Sequence, residues 1–267
     1  MMWILPIRVA LLGALAIWSA TGIASAGAVE LLSHRAIYSL ALGEARRGGE
    51  IIAVKGQIHV ETADTCDGWT LYQRLSIGLV DRDGAEVASE TAFASWETKD
   101  GLHFRFHQLG RADGRDDELI NGTATADPLR PGRARFVDPE RRDIPLPAGT
   151  LFPIGHLAAL ITAAEAGKRI FSAVVFDGSS LANPSQVSAF IGDRETLPSL
   201  LDQGEAVTAW PVRAAFFPLG GAAEIPDVEI GIVLQADGVM REIELVYEDF
   251  SIRAELTGIE IIPPIAC

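Results

Sequence analysis

Hydrophobic and polar residues alternate with a period of two over much of this chain, and this pattern constrains the fold more than any other feature. Phe104 and Phe106, for example, stand between polar residues, and the same alternation recurs within 54–60, 71–79, 228–234 and 250–256. Successive side chains of a β-strand point to opposite faces of a sheet, so alternation indicates strands with one buried and one solvated face. The sequence therefore predicts a mainly β, antiparallel protein.

The connections between the predicted strands are uneven. Asp237-Gly238 separates two alternating runs, which is a strong signal for a β-hairpin. Residues 127–147 are rich in Pro, Arg and Asp and are predicted to form a loop-rich crossover. The chain shows neither a repeat of fixed period nor a recognisable domain boundary, so 27–267 is predicted to be a single domain.

One segment, Pro153–Gly167, departs from the alternation and is predicted to form a helix. Pro153 suits the first helical turn, and Gly167 suits the C-terminal cap. Leu157, Leu160 and Ile161 share one face of this helix and are expected to pack on the concave side of the sheet. A second, shorter helix is predicted at about 197–201.

Residues 1–26 have the features of a secretory signal peptide. Arg8 is the only charge, an apolar run follows it, and Ala24-Ser25-Ala26 fits the small-residue cleavage pattern. The apolar stretch is shorter than the roughly 20 residues that span a bilayer. The sequence thus predicts a cleaved signal, no stable membrane insertion, and a periplasmic location for 27–267.

The chain has two cysteines, Cys66 and Cys267, which both follow the predicted signal. Thiols pair in oxidising compartments such as the bacterial periplasm, so an intramolecular disulfide is expected. It would close nearly the whole domain into one loop, which indicates a role in stability rather than in chemistry.

Composition excludes some partners. The formal net charge is −14 and the pI is about 4.7. Binding of nucleic acid, or electrostatic docking on anionic lipid, requires a basic surface. Neither is expected here, and the hydrophobic content of 48% is enough for a sizeable core.

The histidines do not indicate a metal site. His103 and His107 are four residues apart, but on a strand this spacing separates them by roughly 13 Å, too far to share one ion. His156 is predicted to be a buried, hydrogen-bonded residue of the helix, with a cavity mouth as the alternative. His34 and Arg35 are assigned to capping or a salt bridge, with binding of an acidic group as the alternative.

No catalytic motif is recognisable. The sequence has no Gly-x-Ser-x-Gly elbow, no Gly-Lys-Ser/Thr phosphate loop and no Cys-x-x-Cys. The acidic cluster Asp113, Asp116, Asp117 and Glu118 lacks the ligand spacing of an EF-hand and is predicted to be a solvated hairpin tip. We therefore expect no cofactor, no metal and no enzymatic activity.

Several short motifs, in order, make the chain resemble the EipB-like family of periplasmic cell-envelope integrity proteins of alphaproteobacteria, formerly a domain of unknown function. The motifs lie at 34–40, 66–70, 146–156, 175–178, 210–212, 216–218 and 247–250, with the terminal Cys267. The resemblance implies a many-stranded spiral or open barrel with one packed helix, similar in architecture to the lipoprotein carriers LolA and LolB. It also implies a Cys66–Cys267 disulfide and a role in envelope integrity without established enzymatic activity.

Three functions are compatible with these features. The first is a carrier that holds a lipid or a lipoprotein acyl chain in a concave sheet, gated by the helix. The second is a scaffold that docks a periplasmic protein, and the third is an envelope hydrolase. A carrier would need a cavity, whose wall is predicted to comprise Phe104, Phe106, Leu157, Leu160 and Phe171; the alternative is that these five are ordinary core.

Overall fold

The structure, a computed structural model, describes residues 29–46, 48–112, 115–182, 184–201, 205–220 and 225–267, without the side chains of Asp116 and Asp117. The predicted signal peptide lies outside these residues. Fifteen strands and one helix are present in this part of the chain. In the described residues, no helix is both long and apolar enough to cross a membrane.

The first half of the chain is entirely β. Its strands are β1 (His34–Ala45), β2 (Ile51–Asp64), β3 (Gly68–Asp81), β4 (Glu86–Thr98), β5 (His103–Ala112), β6 (Arg115–Thr125), β7 (Gly132–Asp138) and β8 (Arg142–Leu146). Each strand pairs antiparallel with the next. These eight strands form one continuous meander.

The helix and the remaining strands complete the fold. They are α1 (Pro153–Glu165), β9 (Ile170–Val175), β10 (Ser185–Ile191), β11 (Glu195–Pro198), β12 (Ala206–Pro218), β13 (Val228–Gln235), β14 (Met240–Val246) and β15 (Phe250–Ile261). Strand β15 pairs with β1, so the two meanders join into one sheet with the order β8-β7-β6-β5-β4-β3-β2-β1-β15-β14-β13-β12-β10-β9, and β11 pairs with β12. The mainly β, antiparallel prediction is confirmed.

The sheet curls into a spiral because one edge packs over the inner face of the other. Phe176, directly after β9, lies with its ring centroid 5.6 Å from that of Phe106 on β5 and 6.1 Å from that of Phe136 on β7. Residues paired across neighbouring strands share a face, so the buried positions define an inward face along the whole sheet. Of the predicted spiral or open barrel, the structure has the spiral, in which one edge of the sheet packs inside the other.

The helix prediction for Pro153–Gly167 is confirmed within two residues at its end. Pro153 is the first helical residue, and Gly167 follows the helix with φ +71°, a conformation that glycine adopts without strain. The hairpin at Asp237-Gly238 is also confirmed, since it joins β13 to β14.

Two local predictions are wrong. Residues 127–147 contain β7 and β8 rather than a loop-rich crossover: Ala134, Phe136, Ile144 and Leu146 are buried inward, while Arg133 and Arg135 face Asp143 on the outside. Because the outward positions are charged, the sequence of this segment indicates a polar loop rather than two strands. The predicted helix at about 197–201 is also not formed: Leu197 pairs with Val207 at the end of β11, and residues 199–201 are in neither a helix nor a strand. A segment this short gains too few hydrogen bonds to form a helix.

Candidate ligand-binding site

Helix α1 fills one end of the spiral, which we call the closed end. Its residues Leu160 and Ile161 are at most 3% exposed and pack with Trp210, Val212 and Leu234 on the inward face of β12 and β13. Phe152, which precedes the helix, stacks on Phe104 at 4.9 Å between ring centroids. The concave-side packing predicted for the helix is thus observed.

A buried carboxylate holds the N-terminus of the helix. Glu97, on β4, is 2% exposed, and its two oxygens accept hydrogen bonds from the backbone N–H groups of Ile154 at 2.9 Å and Gly155 at 2.8 Å. These N–H groups belong to the first turn, where a helix leaves its donors unsatisfied. Burial raises the pKa of Glu97 to about 7, although the two hydrogen bonds oppose this shift.

His156 lies in the same first turn of the helix, and its surroundings differ in part from the prediction. It is largely buried, with its ring centroid 5.8 Å from that of Phe171. However, its Nε2 is buried and has no hydrogen-bond partner among the described residues, so the predicted hydrogen bond is not found at that atom. Burial lowers the pKa of His156 to about 4 from its ordinary 6.5. The ring packs instead against the aromatic rings of Phe171 and Phe216.

Glu97 and His156 should affect the free energy of unfolding with opposite dependences on pH. Between about pH 4.5 and 7 the folded state holds the Glu97 proton more tightly than the unfolded chain, so stability falls as pH rises. Between about pH 4 and 6.5 the unfolded chain binds a proton at His156 that the folded state does not, so stability rises with pH. The two contributions oppose one another over about pH 4.5–6.5.

Single variants should therefore separate the two slopes. In Glu97→Gln we expect the free energy of unfolding to drop as pH falls from 6.5 to 4, whereas in His156→Phe it should drop as pH rises from 4.5 to 7. Each slope is at most about 1.4 kcal/mol per pH unit. Urea unfolding from pH 4 to 8 measures both, and parallel profiles for the two variants would contradict the assignment.

The five predicted wall residues do not lie on one surface. Phe104 and Phe106 belong to a cluster with Phe136, Phe152 and Phe176, whereas Leu160 belongs to a second cluster, against which Leu157 and Phe171 pack. Phe104, Phe106 and Leu160 are at most 3% exposed because these clusters enclose them. A role of the five in ligand binding stays a prediction.

The opposite end of the spiral, which we call the open end, is not filled in this way. On β1 the inward residues Ala36 and Tyr38 are 1% and 2% exposed, whereas Leu42, nearer the open end, is partly exposed. On β13, Leu234 is fully buried, but Ile232 and Ile230 become partly exposed in the same direction. The exposure of the inward side chains therefore increases with distance from the helix.

This partly exposed inward surface forms an apolar trough. Tyr38 and Leu40 are buried at its base, and strands β1, β2, β3, β14 and β15 contribute its lining of Leu42, Ile58, Leu75, Ile77, Leu79, Ile243, Leu245 and Phe250. Nearly all of these side chains are aliphatic, and none of them belongs to the predicted wall. Apolar side chains that line a concave surface are a common basis for small-molecule binding.

Sequence reasoning recognised these strands but did not select the trough residues. The alternation of Leu75, Ile77 and Leu79 identifies their face, and the same holds for Ile243 and Leu245. It does not tell which inward side chains the helix covers. That information depends on where α1 packs, and the predicted wall residues lie where the helix and the aromatic cluster fill the interior.

The remaining candidate residues have structural surroundings. His103 and His107 are exposed on the outward face of β5, and in the described part of the chain no cluster of three or more His, Cys, Asp or Glu could hold a metal. Arg35 forms an ion pair with Glu61 at 2.7 Å, and His34 Nδ1 lies 2.8 Å from the Leu32 carbonyl oxygen. Cys66 and Cys267 form a disulfide with a Cα–Cα distance of 5.7 Å.

Comparison with known proteins agrees with this architecture. The sequence model of the EipB-like family matches residues 25–263. The chain belongs to the EipB-like family. A relative in the family, the cell envelope integrity protein EipB of Brucella abortus (strain 2308), is 28% identical over 247 residues, covering 89% of this chain and 86% of the relative.

A crystal structure extends the comparison to the fold of this EipB-like protein. The beta-barrel-like protein of domain of unknown function DUF1849 from Brucella abortus superimposes with a TM-score of 0.81 at 26% identity. The match covers 88% of this chain and 100% of that chain. The spiral sheet is therefore shared with an experimentally determined relative.

Proposed function

We propose that this protein supports the integrity of the cell envelope from the periplasm, without catalysis, by binding the acyl chain of a lipid or lipoprotein in the trough. The envelope role is supported by the name of the Brucella relative. The observation that carries the binding function is the set of inward aliphatic side chains left partly exposed at the open end. Water-exposed apolar surface of this kind is costly unless a ligand covers it.

The surroundings of the strongly shifted carboxylate favour a non-catalytic function. Glu97 has a raised pKa, which is often a sign of an active site. Here both of its oxygens accept hydrogen bonds from the helix, and the side chain is 2% exposed. A group engaged in this way is a structural anchor rather than an acid or base that reaches a substrate.

A charge placed inside the trough should abolish acyl binding. Ile77 lies mid-wall, opposite Ser89 and Gly56, so Ile77→Asp puts a carboxylate where an acyl chain would lie. We expect saturable binding of a fluorescent acyl probe to the purified protein to disappear in this variant, because burying an unpaired charge against a chain is unfavourable. The matched control is Ser76→Asp, which places the same charge next to it on the outward face.

The binding function is contradicted if the wild type fails to bind the probe. It is also contradicted if Ile77→Asp, shown to be folded by circular dichroism, binds as well as Ser76→Asp. Phe106, by contrast, is unsuitable for this test because it is 2% exposed in the aromatic cluster, where a charge would disrupt the fold.

A second candidate, docking of a periplasmic protein, is favoured by a groove on the outward face. This groove has a volume of about 300 Å³ and is lined by β1, β2, β3 and β15, where Ile37 and Tyr72 are exposed beside the Arg35–Glu61 ion pair. The two functions can be separated in cells that lack their own copy of the gene. Ile77→Asp should fail to restore detergent resistance if the trough acts, and Tyr72→Asp should fail if the groove acts.

A further inference from the structure

Tyr38 lies at the base of the trough and is fixed in place. It occupies an inward position of β1 with 2% of its surface exposed, and its hydroxyl donates a hydrogen bond of 2.7 Å to the backbone carbonyl oxygen of Met240. Met240 begins β14, and β15 lies between β1 and β14, so the side chain crosses the interior to the second strand along the sheet. Movement of the ring would break this bond and leave a buried hydroxyl without a partner, which is unfavourable.

The interior on the other side of Tyr38, toward the closed end, is filled. The next inward residue of β1 in that direction, Ala36, is 1% exposed, and so is Val239, which directly precedes Met240. Leu31 and Leu157 of the helix lie close to Gly238 in the same hairpin. A chain that enters the trough from the open end therefore meets the Tyr38 ring as a barrier.

The distance from Tyr38 to the open end is short. Leu42 is the partly exposed inward residue four positions along β1, and on β3 the same interval separates Leu79 from Leu75, which belongs to the row of Tyr38. Four residues of a β-strand span about 13 Å. An extended polypeptide advances about 1.2 Å per backbone bond, and an extended alkyl chain has a similar zigzag, so this length holds about ten carbons.

We infer that Tyr38 sets the depth of the trough, so that the site takes an alkyl segment of about ten carbons, methyl end first, and leaves the head at the open end. The inference rests on the proposed function, since it specifies how much of an acyl chain the trough covers. A polar head against Tyr38 would be buried among aliphatic side chains and would lose its hydrogen bonds to water, which is why the methyl end enters first. Carbons beyond the limit remain in water and add little to affinity.

A homologous series of alcohols tests this limit. Hexanol, octanol, decanol, dodecanol and tetradecanol, each below its solubility limit, are used to displace the fluorescent acyl probe from the purified protein. For the wild type we expect affinity to rise about fifteenfold with each pair of added methylenes up to decanol, and by less than about threefold from decanol to tetradecanol. A rise that continues at the same rate through tetradecanol would overturn the depth limit while leaving acyl binding intact.

Two variants at position 38 separate the effect of the ring from that of the hydroxyl. Tyr38→Ala removes the barrier and opens the next inward step of β1, about 7 Å further, so the rise in affinity should continue to dodecanol and tetradecanol. Tyr38→Phe is the matched control, because it keeps the ring and removes only the hydrogen bond to Met240. Its plateau should still begin at decanol. A folded Tyr38→Ala protein whose plateau begins at decanol would overturn the role of Tyr38.

Leu40→Phe tests the limit from the opposite direction and decides the question if Tyr38→Ala fails to fold. Leu40 is the inward residue between Tyr38 and Leu42, and its partners on the neighbouring strands, Gly56 and Ala254, contribute little or no side chain to the interior. A ring at this position makes the trough shallower, so the plateau should begin at octanol. A plateau that remains at decanol in folded Leu40→Phe would overturn the inference. Absence of probe binding to the wild type would overturn the proposed function together with it.

Discussion

Replacing both Cys66 and Cys267 by serine is expected to lower the free energy of unfolding by about 2–5 kcal/mol. The bridge spans 201 residues and therefore restricts nearly the whole unfolded chain, which is the main source of its stabilising effect. The tail around Cys267 is exposed and contributes little packing of its own. The loss should therefore appear as a global decrease in stability with the spiral sheet retained.

Urea unfolding of the double variant and of the wild type, with and without reductant, measures this effect. The wild type in reductant should behave like the double variant, and reductant should leave the double variant unchanged. Equal midpoints for oxidised wild type and double variant would contradict the stabilising role.

Removing the anchor of the helix should have an effect of similar or larger size. We expect Glu97→Ala to lower the free energy of unfolding by roughly 2–6 kcal/mol, because it leaves the buried N–H groups of Ile154 and Gly155 without acceptors. The same change removes the group that caps the first turn of α1. The helix should then detach more readily from the closed end, with increased amide hydrogen exchange in residues 153–165.

Glu90→Ala is the control for this variant. Glu90 is also on β4, but it is exposed on the outward face, where it forms an ion pair with Arg74 at 3.3 Å. Exposed pairs of this kind contribute at most about 1 kcal/mol. Similar losses in Glu97→Ala and Glu90→Ala would show that the buried carboxylate does not anchor the helix.

The sequence was sufficient to predict those parts of the fold that local patterns encode. Alternation in β5 and β13, the turn at Asp237-Gly238 and the Pro153–Gly167 pattern each act over a few residues. Strands β7 and β8 were missed because their outward face carries Arg133, Arg135 and Asp143, and because prolines flank the two strands. Alternation requires only that one face of a strand is apolar and buried, so the opposite face can be fully charged.

The features that define the site depend on contacts between distant residues. Glu97 and Ile154 are 57 residues apart, so no local pattern pairs them. Likewise, the exposure of Ile77 depends on how far α1 extends along the interior. The predicted wall at Phe104 and Phe106 followed from side-chain size, whereas in the folded chain these rings fill the closed end.

Analysis of co-purifying lipid tests the central claim, that the trough holds an acyl chain, most directly. The protein and its Ile77→Asp variant would be purified from their native envelope without detergent, and bound lipids would be extracted and quantified by mass spectrometry. We predict an acyl-bearing component at about one molecule per wild-type chain, strongly depleted in Ile77→Asp and retained in Ser76→Asp. Wild-type protein without acyl-bearing lipid, or with the same amount as folded Ile77→Asp, would contradict the account.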